Sequence, residues 1–157
     1  AERLGELLAQ EGFTVVCGGY GGTMAAVSRG AQQAGGETVG VTMDLFAARL
    51  QPNAWLTREQ RVKDFFPRLQ RLTSADGFVV LRGGIGTLTE ASLTWSLLQT
   101  GQIPMRPFVF VGDGWRRVFD CLRAETFMTE SDFALATVVD SAEEAVARLR
   151  EALAPSP

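Results

Sequence analysis

Two glycine clusters in this 157-residue chain have the residue types and spacing to hold an anion. Cys17-Gly18-Gly19-Tyr20-Gly21-Gly22-Thr23-Met24 follows the apolar run Phe13 to Cys17. Arg82-Gly83-Gly84-Ile85-Gly86-Thr87-Leu88-Thr89-Glu90 follows the apolar run Gly77 to Leu81. Where a strand gives way to a helix, glycine lets the backbone approach a ligand, and the helix's first amides and positive dipole end favour a negative group. Phosphate is the natural candidate. Neither cluster is a standard fingerprint: no Gly-Lys-Ser/Thr ends a Walker loop, and Gly19 and Gly21 are followed by Met24 where Gly-x-Gly-x-x-Gly needs a third glycine. A glycine-rich turn without a ligand remains the other reading of each cluster alone. Two of them at carboxyl ends of strands favour a phosphate or nucleotide site, because that edge is where open α/β sheets bind ligands.

Other chemistry is narrowed by what the sequence lacks. The chain has no histidine, which excludes a Ser-His-Asp triad, a histidine base and the usual zinc sets. Its single lysine, Lys63, lies in a polar stretch and makes a Schiff-base enzyme improbable. Reaction chemistry therefore falls to carboxylates, arginine and backbone amides, and no metal or organic cofactor is expected. A net charge of −3 gives no basic excess for nucleic acid, and no apolar run approaches the roughly 18 residues of a membrane span. Cys17 and Cys121 lie in apolar surroundings and read as reduced core residues of a cytoplasmic protein.

The elements that must position these loops follow from hydrophobic patterning. Apolar strand-like runs at Phe13 to Cys17, Thr38 to Val41, Gly77 to Leu81, Pro107 to Val111 and Leu135 to Val139 alternate with amphipathic stretches. Those stretches predict helices at Glu2 to Gln10, Thr23 to Ala34, Thr57 to Thr73, Thr87 to Gln99, Trp115 to Ala124 and Ser141 to Leu153. Continuously apolar strands separated by helices indicate a parallel sheet covered on both faces, a doubly wound, Rossmann-like α/β domain over residues 1–153. Residues 154–157 read as a tail. Because the chain opens inside a helix, which in such a sheet normally follows a strand, a first strand with its own glycine- or serine-bearing loop, together roughly 10 to 25 residues, is expected upstream.

The pair V-V-C-G-G-Y-G-G-T-M and V-V-L-R-G-G-I-G-T-L-T-E resembles the Lonely Guy family, nucleoside 5'-monophosphate phosphoribohydrolases often mislabelled lysine decarboxylases. The family signature Pro-Gly-Gly-x-Gly-Thr-x-x-Glu is met at positions 83 to 90 except for its proline, which is Arg82 here. A-G-G-E-T-V-G-V at 34 to 41 and V-K-D-F-F-P-R-L-Q-R-L at 62 to 72 are also similar, the second to the segment carrying an essential arginine followed by lysine. The resemblance implies Arg68 and Glu90 as catalytic residues. It also implies Gly83, Gly84, Gly86 and Thr87 as a phosphate-binding loop, with Gly19, Gly21, Gly22 and Met24 in a partner loop. A small-molecule nucleotide and a homodimer are the implied partners.

Two departures from the family keep a second reading open. Leu69 replaces the lysine and Arg82 the proline, removing one cation and adding another, so the expected activity is either hydrolysis of the N-glycosidic bond of a nucleoside monophosphate or non-catalytic carriage of a nucleotide or molybdenum cofactor. Each residue also has a purely structural reading. Thr87-Leu88-Thr89-Glu90 has the form of a capping box, Arg68 alone reads as a solvated helix residue, and Met24 and Trp95 read as core.

Overall fold

The computed structural model describes residues 1–154, divided by their contacts into a unit Ala1–Ala75 and a second from Asp76 onward. The first unit contains α1 (Glu2–Gln10), β1 (Val15–Cys17), α2 (Thr23–Gln33), β2 (Thr38–Met43), β3 (Arg58–Val62) and α3 (Phe65–Leu72). Its sheet has the order β1-β2-β3 with both ladders parallel, Val16 opposite Val39 and Val41 opposite Gln60. β2 is central, and all six of its residues are buried, Thr38 and Thr42 among them. α1 buries Leu4 and Leu8 and stops at Gly12, whose φ of +78° suits glycine. The two helices meet closely, because a Cβ on Gly5 would lie 2.0 Å from the Val27 carbonyl oxygen and one on Gly30 1.9 Å from that of Glu2.

One expectation fails here. The helix predicted over Thr57 to Thr73 is a strand, a short connection and a helix: β3 pairs with β2, and α3 begins only after Asp64. Arg58, Glu59 and Arg61 are exposed, so β3 is a polar edge strand without the apolar run used to recognise strands. Pro67 then occupies the third position of α3, where its missing N–H would have no partner in any case. The link from β2 to β3 carries only a 3₁₀ turn at Asp44–Phe46 and no α-helix. It closes on the sheet where Thr38 and Thr57 exchange hydrogen bonds, Thr57 Oγ1 donating to the Thr38 carbonyl at 2.8 Å and Thr38 Oγ1 donating to the Trp55 carbonyl at 2.7 Å.

The second unit contains β4 (Phe78–Val80), α4 (Ile85–Gln99), β5 (Phe108–Val111), α5 (Asp113–Glu125), α6 (Glu130–Phe133), β6 (Thr137–Val139) and α7 (Ala142–Leu153). Its sheet, in the order β4-β5-β6, is again parallel. The expected α/β class with parallel pairing is thus observed, as a three-stranded sheet flanked by helices in each unit. Trp95 is core, as its apolar setting predicts: it contacts Phe108, Phe110, Phe119 and Phe133 with ring centroids 5.0–5.9 Å apart, and its Nε1 donates to the Asp132 carbonyl at 2.7 Å. α6, not anticipated from sequence, is a single turn held by a capping box between Thr129 and Asp132. Cys17 is partly buried, whereas Cys121 lies on the outer face of α5 and is exposed, correcting its reading as core. Of the expected tail, residues 155–157 lie outside the described residues. No helix among the described residues is long and apolar enough to cross a membrane.

Candidate functional site

In the first unit the loop between β1 and α2 lies at the carboxyl end of β1, and its glycines serve different ends. Gly19 and Gly22 have φ of +80° and +66°, so the chain path itself demands glycine there. Gly18 has ordinary φ, but a Cβ on it would sit 2.1 Å from Arg68 Nη2 and 2.7 Å from Met24 Sδ. Gly21 is exposed, with ordinary φ and open space around its Cα. The loop is anchored behind by Tyr20, whose hydroxyl accepts from the Met43 amide at 2.8 Å. Asn53 fixes it from the β2–β3 link, its backbone N–H donating to the Gly19 carbonyl at 2.9 Å and its Nδ2 to the Tyr20 carbonyl at 3.2 Å.

Arg68 is brought against this loop. It is only 6% exposed, and its Nε donates to the Val41 carbonyl at 3.0 Å, which overturns the solvated-helix reading of this side chain. A guanidinium carried into the interior is costly unless its donors are satisfied, so its position is fixed by design of the surroundings. Gly18, not among the expected site residues, is the glycine that makes room for it. The partly buried Met24 contributes its thioether to the same wall. Leu69, next along α3, is 6% exposed and belongs to the core of this unit.

In the second unit Arg82, Gly83, Gly84, Ile85 and Gly86 are exposed at the carboxyl end of β4. α4 starts at Ile85, with Gly84 as N-cap in extended conformation and no side-chain cap. Its first backbone bond is Leu88 N–H to the Gly84 carbonyl at 3.1 Å, which leaves the amides of Ile85, Gly86 and Thr87 without an acceptor inside the helix. This corrects the capping-box reading: Glu90 is the sixth residue of α4, too far along to serve the helix start. A Cβ on Gly83 would lie 2.0 Å from Thr87 Oγ1, so glycine there has a packing reason. Around Gly84 and Gly86 a Cβ would meet nothing within 4 Å. At helical spacing Gly86, Thr87 and Glu90 share one face of α4, with the partly buried Glu90 about one turn beyond the free amides.

A cleft of about 270 Å³ also occurs in this unit, lined by Arg106, Phe108, Thr137, Arg148 and Glu151 among others. It opens where β5 and β6 begin, at the opposite ends of the strands from the glycine loop, and contains none of the expected site residues.

Residues 24–149 match the family described as possible lysine decarboxylase. A cytokinin riboside 5'-monophosphate phosphoribohydrolase of Mycobacterium tuberculosis is 34% identical over 126 residues, covering 79% of this chain and 66% of the relative, so the chain spans slightly less than two thirds of that protein. Among solved structures, the molybdenum cofactor binding protein of Rippkaea orientalis superposes with a TM-score of 0.72 at 21% identity, covering 96% of this chain and 83% of that one. A molybdenum cofactor carrier protein from Chlamydomonas reinhardtii superposes with a TM-score of 0.71 at 22% identity, covering 98% and 86%. Likenesses at that identity establish a shared fold.

Proposed function

The chain belongs to the family described as possible lysine decarboxylases, also called Lonely Guy, and from that premise we propose that it hydrolyses the N-glycosidic bond of a nucleoside 5'-monophosphate. The observation that carries this reading is the set Gly21, Gly84 and Gly86, which have neither unusual backbone angles nor a crowded neighbour to explain them. Glycines that the fold does not need are accounted for by a ligand that does. Three unpaired amides and the Thr87 hydroxyl form a donor set suited to the oxygens of a phosphate. The family relationship supplies the reaction, since the mycobacterial relative bears the name of a phosphoribohydrolase.

In this proposal the phosphate binds at the start of α4, and Glu90, one turn along the same face, acts near the anomeric carbon of the ribose. As the bond to the base breaks, positive charge develops on the sugar. Glu90 stabilises that charge and orients or deprotonates the attacking water, whose oxygen bonds to the anomeric carbon while the base leaves with a proton. Arg68, which the family resemblance names as catalytic, stands against the glycine loop of the first unit and is proposed as a hydrogen-bond donor to the nucleotide. The products are free base and ribose 5-phosphate; Gly19, Gly21, Gly22 and Met24 belong to the glycine loop of the first unit, which we propose as a nucleotide-binding loop in its own right. We further propose a homodimer, because α4 leaves Ile85 and Leu88 82% and 45% exposed.

Leu69 favours a second reading. An apolar core residue stands where the family carries a lysine, as would suit a carrier that holds a phosphorylated ligand without cleaving it. Incubation with a panel of nucleoside monophosphates, followed by chromatography for free base, separates the two. Release of base from at least one nucleotide is expected; binding with no release from any of them establishes the carrier instead.

A further inference from the structure

We propose that the cleft at the amino ends of β5 and β6 is a second ligand site, one that takes a small organic anion whose carboxylate or phosphate is carried on an apolar body. Its volume of about 270 Å³ stands at the lower end of the range for small-molecule sites, which begins at about 300 Å³. The floor is apolar, formed by Leu135 and by Phe108 at the start of β5. Charge gathers at the rim, where the guanidiniums of Arg106 and Arg148 stand with a single carboxylate, that of Glu151. The chain as a whole has a net charge of −3, so this local excess of cations does not follow from composition.

Packing shows the cleft to be a local parting of α7 from the sheet. On the β4 side the helix lies tight, because a Cβ on Gly77 would come within 2.8 Å of Leu149 Cδ2 and 3.1 Å of Pro107 Cγ. At the cleft the same helix presents Ala152, where a longer apolar side chain would close the gap to the density usual between helix and sheet. The polar groups keep capacity for a ligand. Arg148 Nη1 stands 3.6 Å from Glu151 Oε2, beyond hydrogen-bond length, so this pair leaves donors of Arg148 unspent. Thr137, exposed at the first position of β6, makes no hydrogen bond through its hydroxyl among the described residues. Arg106 is presented by an anchored stretch of chain, since the carbonyl of Pro107 accepts from the Phe78 N–H at 2.8 Å. Two guanidiniums and a hydroxyl, from the segment before β5, from α7 and from β6, thus border an apolar floor, an arrangement that holds an anion by its charge and its body by contact.

Calorimetric titration of the whole chain with benzoate, phenyl phosphate, benzyl alcohol and benzylamine tests the assignment. Benzoate and phenyl phosphate are expected to bind with Kd on the order of 1 mM, as befits ligands of that size, and the neutral and cationic analogues to bind far more weakly. Arg148→Gln, at an exposed position, should weaken both anions roughly tenfold through loss of a charge-assisted contact, and Ala152→Phe should remove their binding by filling the cleft. Thermal melting followed by circular dichroism separates either loss from unfolding. Saturating AMP should leave benzoate binding unchanged, since the cleft lies at the opposite ends of the strands from the glycine loop of this unit. Anions that bind no better than benzyl alcohol, or whose affinity survives both substitutions, overturn the proposal, as does displacement of benzoate by AMP. Tighter binding of benzylamine than of benzoate would assign the cleft to cations through Glu151 and overturn it equally.

Discussion

At position 86 a methyl group would touch no protein atom, which makes that residue the sharpest probe of the proposed site. Gly86→Ala should keep or raise the melting temperature, since alanine is better in a helix by up to about 1 kcal/mol, while phosphate-dependent binding falls because the backbone can no longer be approached. Gly83→Ala supplies the contrast: its methyl collides with Thr87, so stability as well as binding should suffer. If Gly86→Ala binds nucleotide as well as the unaltered chain, the loop is only a turn. Glu90→Gln is the second test at this scale. Because Glu90 lies beyond the first turn of α4, loss of a cap cannot confuse the result, and turnover should drop roughly a hundredfold or more with the fold preserved. Full activity in that variant would remove Glu90 from the mechanism. The sequence singled out Arg68 and Glu90 through resemblance alone. It offered no sign that Arg68 is buried or that Gly18 clears its path, since neither depends on a local pattern.

Among the elements, those with a strong local signal were legible, and those defined by their neighbours were not. β5 is apolar throughout and β2 carries the apolar residues Val39, Val41 and Met43, so both are legible as strands, whereas β3 is polar and is a strand because it pairs with β2. A helix from Thr87 is what the Thr87-Leu88-Thr89-Glu90 pattern predicts, but α4 starts two residues earlier behind a glycine that offers no side chain. The contact between α1 and α2 was equally hidden, since Gly5 and Gly30 matter only once the helices are known to touch. Gly30→Ala tests that contact. Its methyl would come within 1.9 Å of the Glu2 carbonyl oxygen, and overpacking of this kind costs about 1–3 kcal/mol, more than alanine returns in helix propensity. A lowered denaturant midpoint is expected, and an unchanged one would show that the two helices separate at no cost.

For the molecule as a whole, the α/β class and its parallel pairing followed from strands alternating with helices, a pattern that needs no knowledge of tertiary contacts. Oligomeric state has no such signature, and it is tested through α4. Leu88→Glu puts a charge on the exposed apolar start of that helix and is expected to turn a dimer into a monomer in sedimentation equilibrium. A monomer without the substitution would remove the dimer from the proposal. The β2–β3 link has a separate consequence, for the order in which a protease finds the chain. With no α-helix between Asp44 and Thr57, residues 47–52 are all exposed, and trypsin should cut first after Arg49. Asn53, four residues on, is bonded to the carbonyls of Gly19 and Tyr20. A nucleotide that stiffens the glycine loop should therefore slow cleavage at Arg49, so that the rate of nicking, followed on a gel, reports occupancy of the loop without any chemistry taking place.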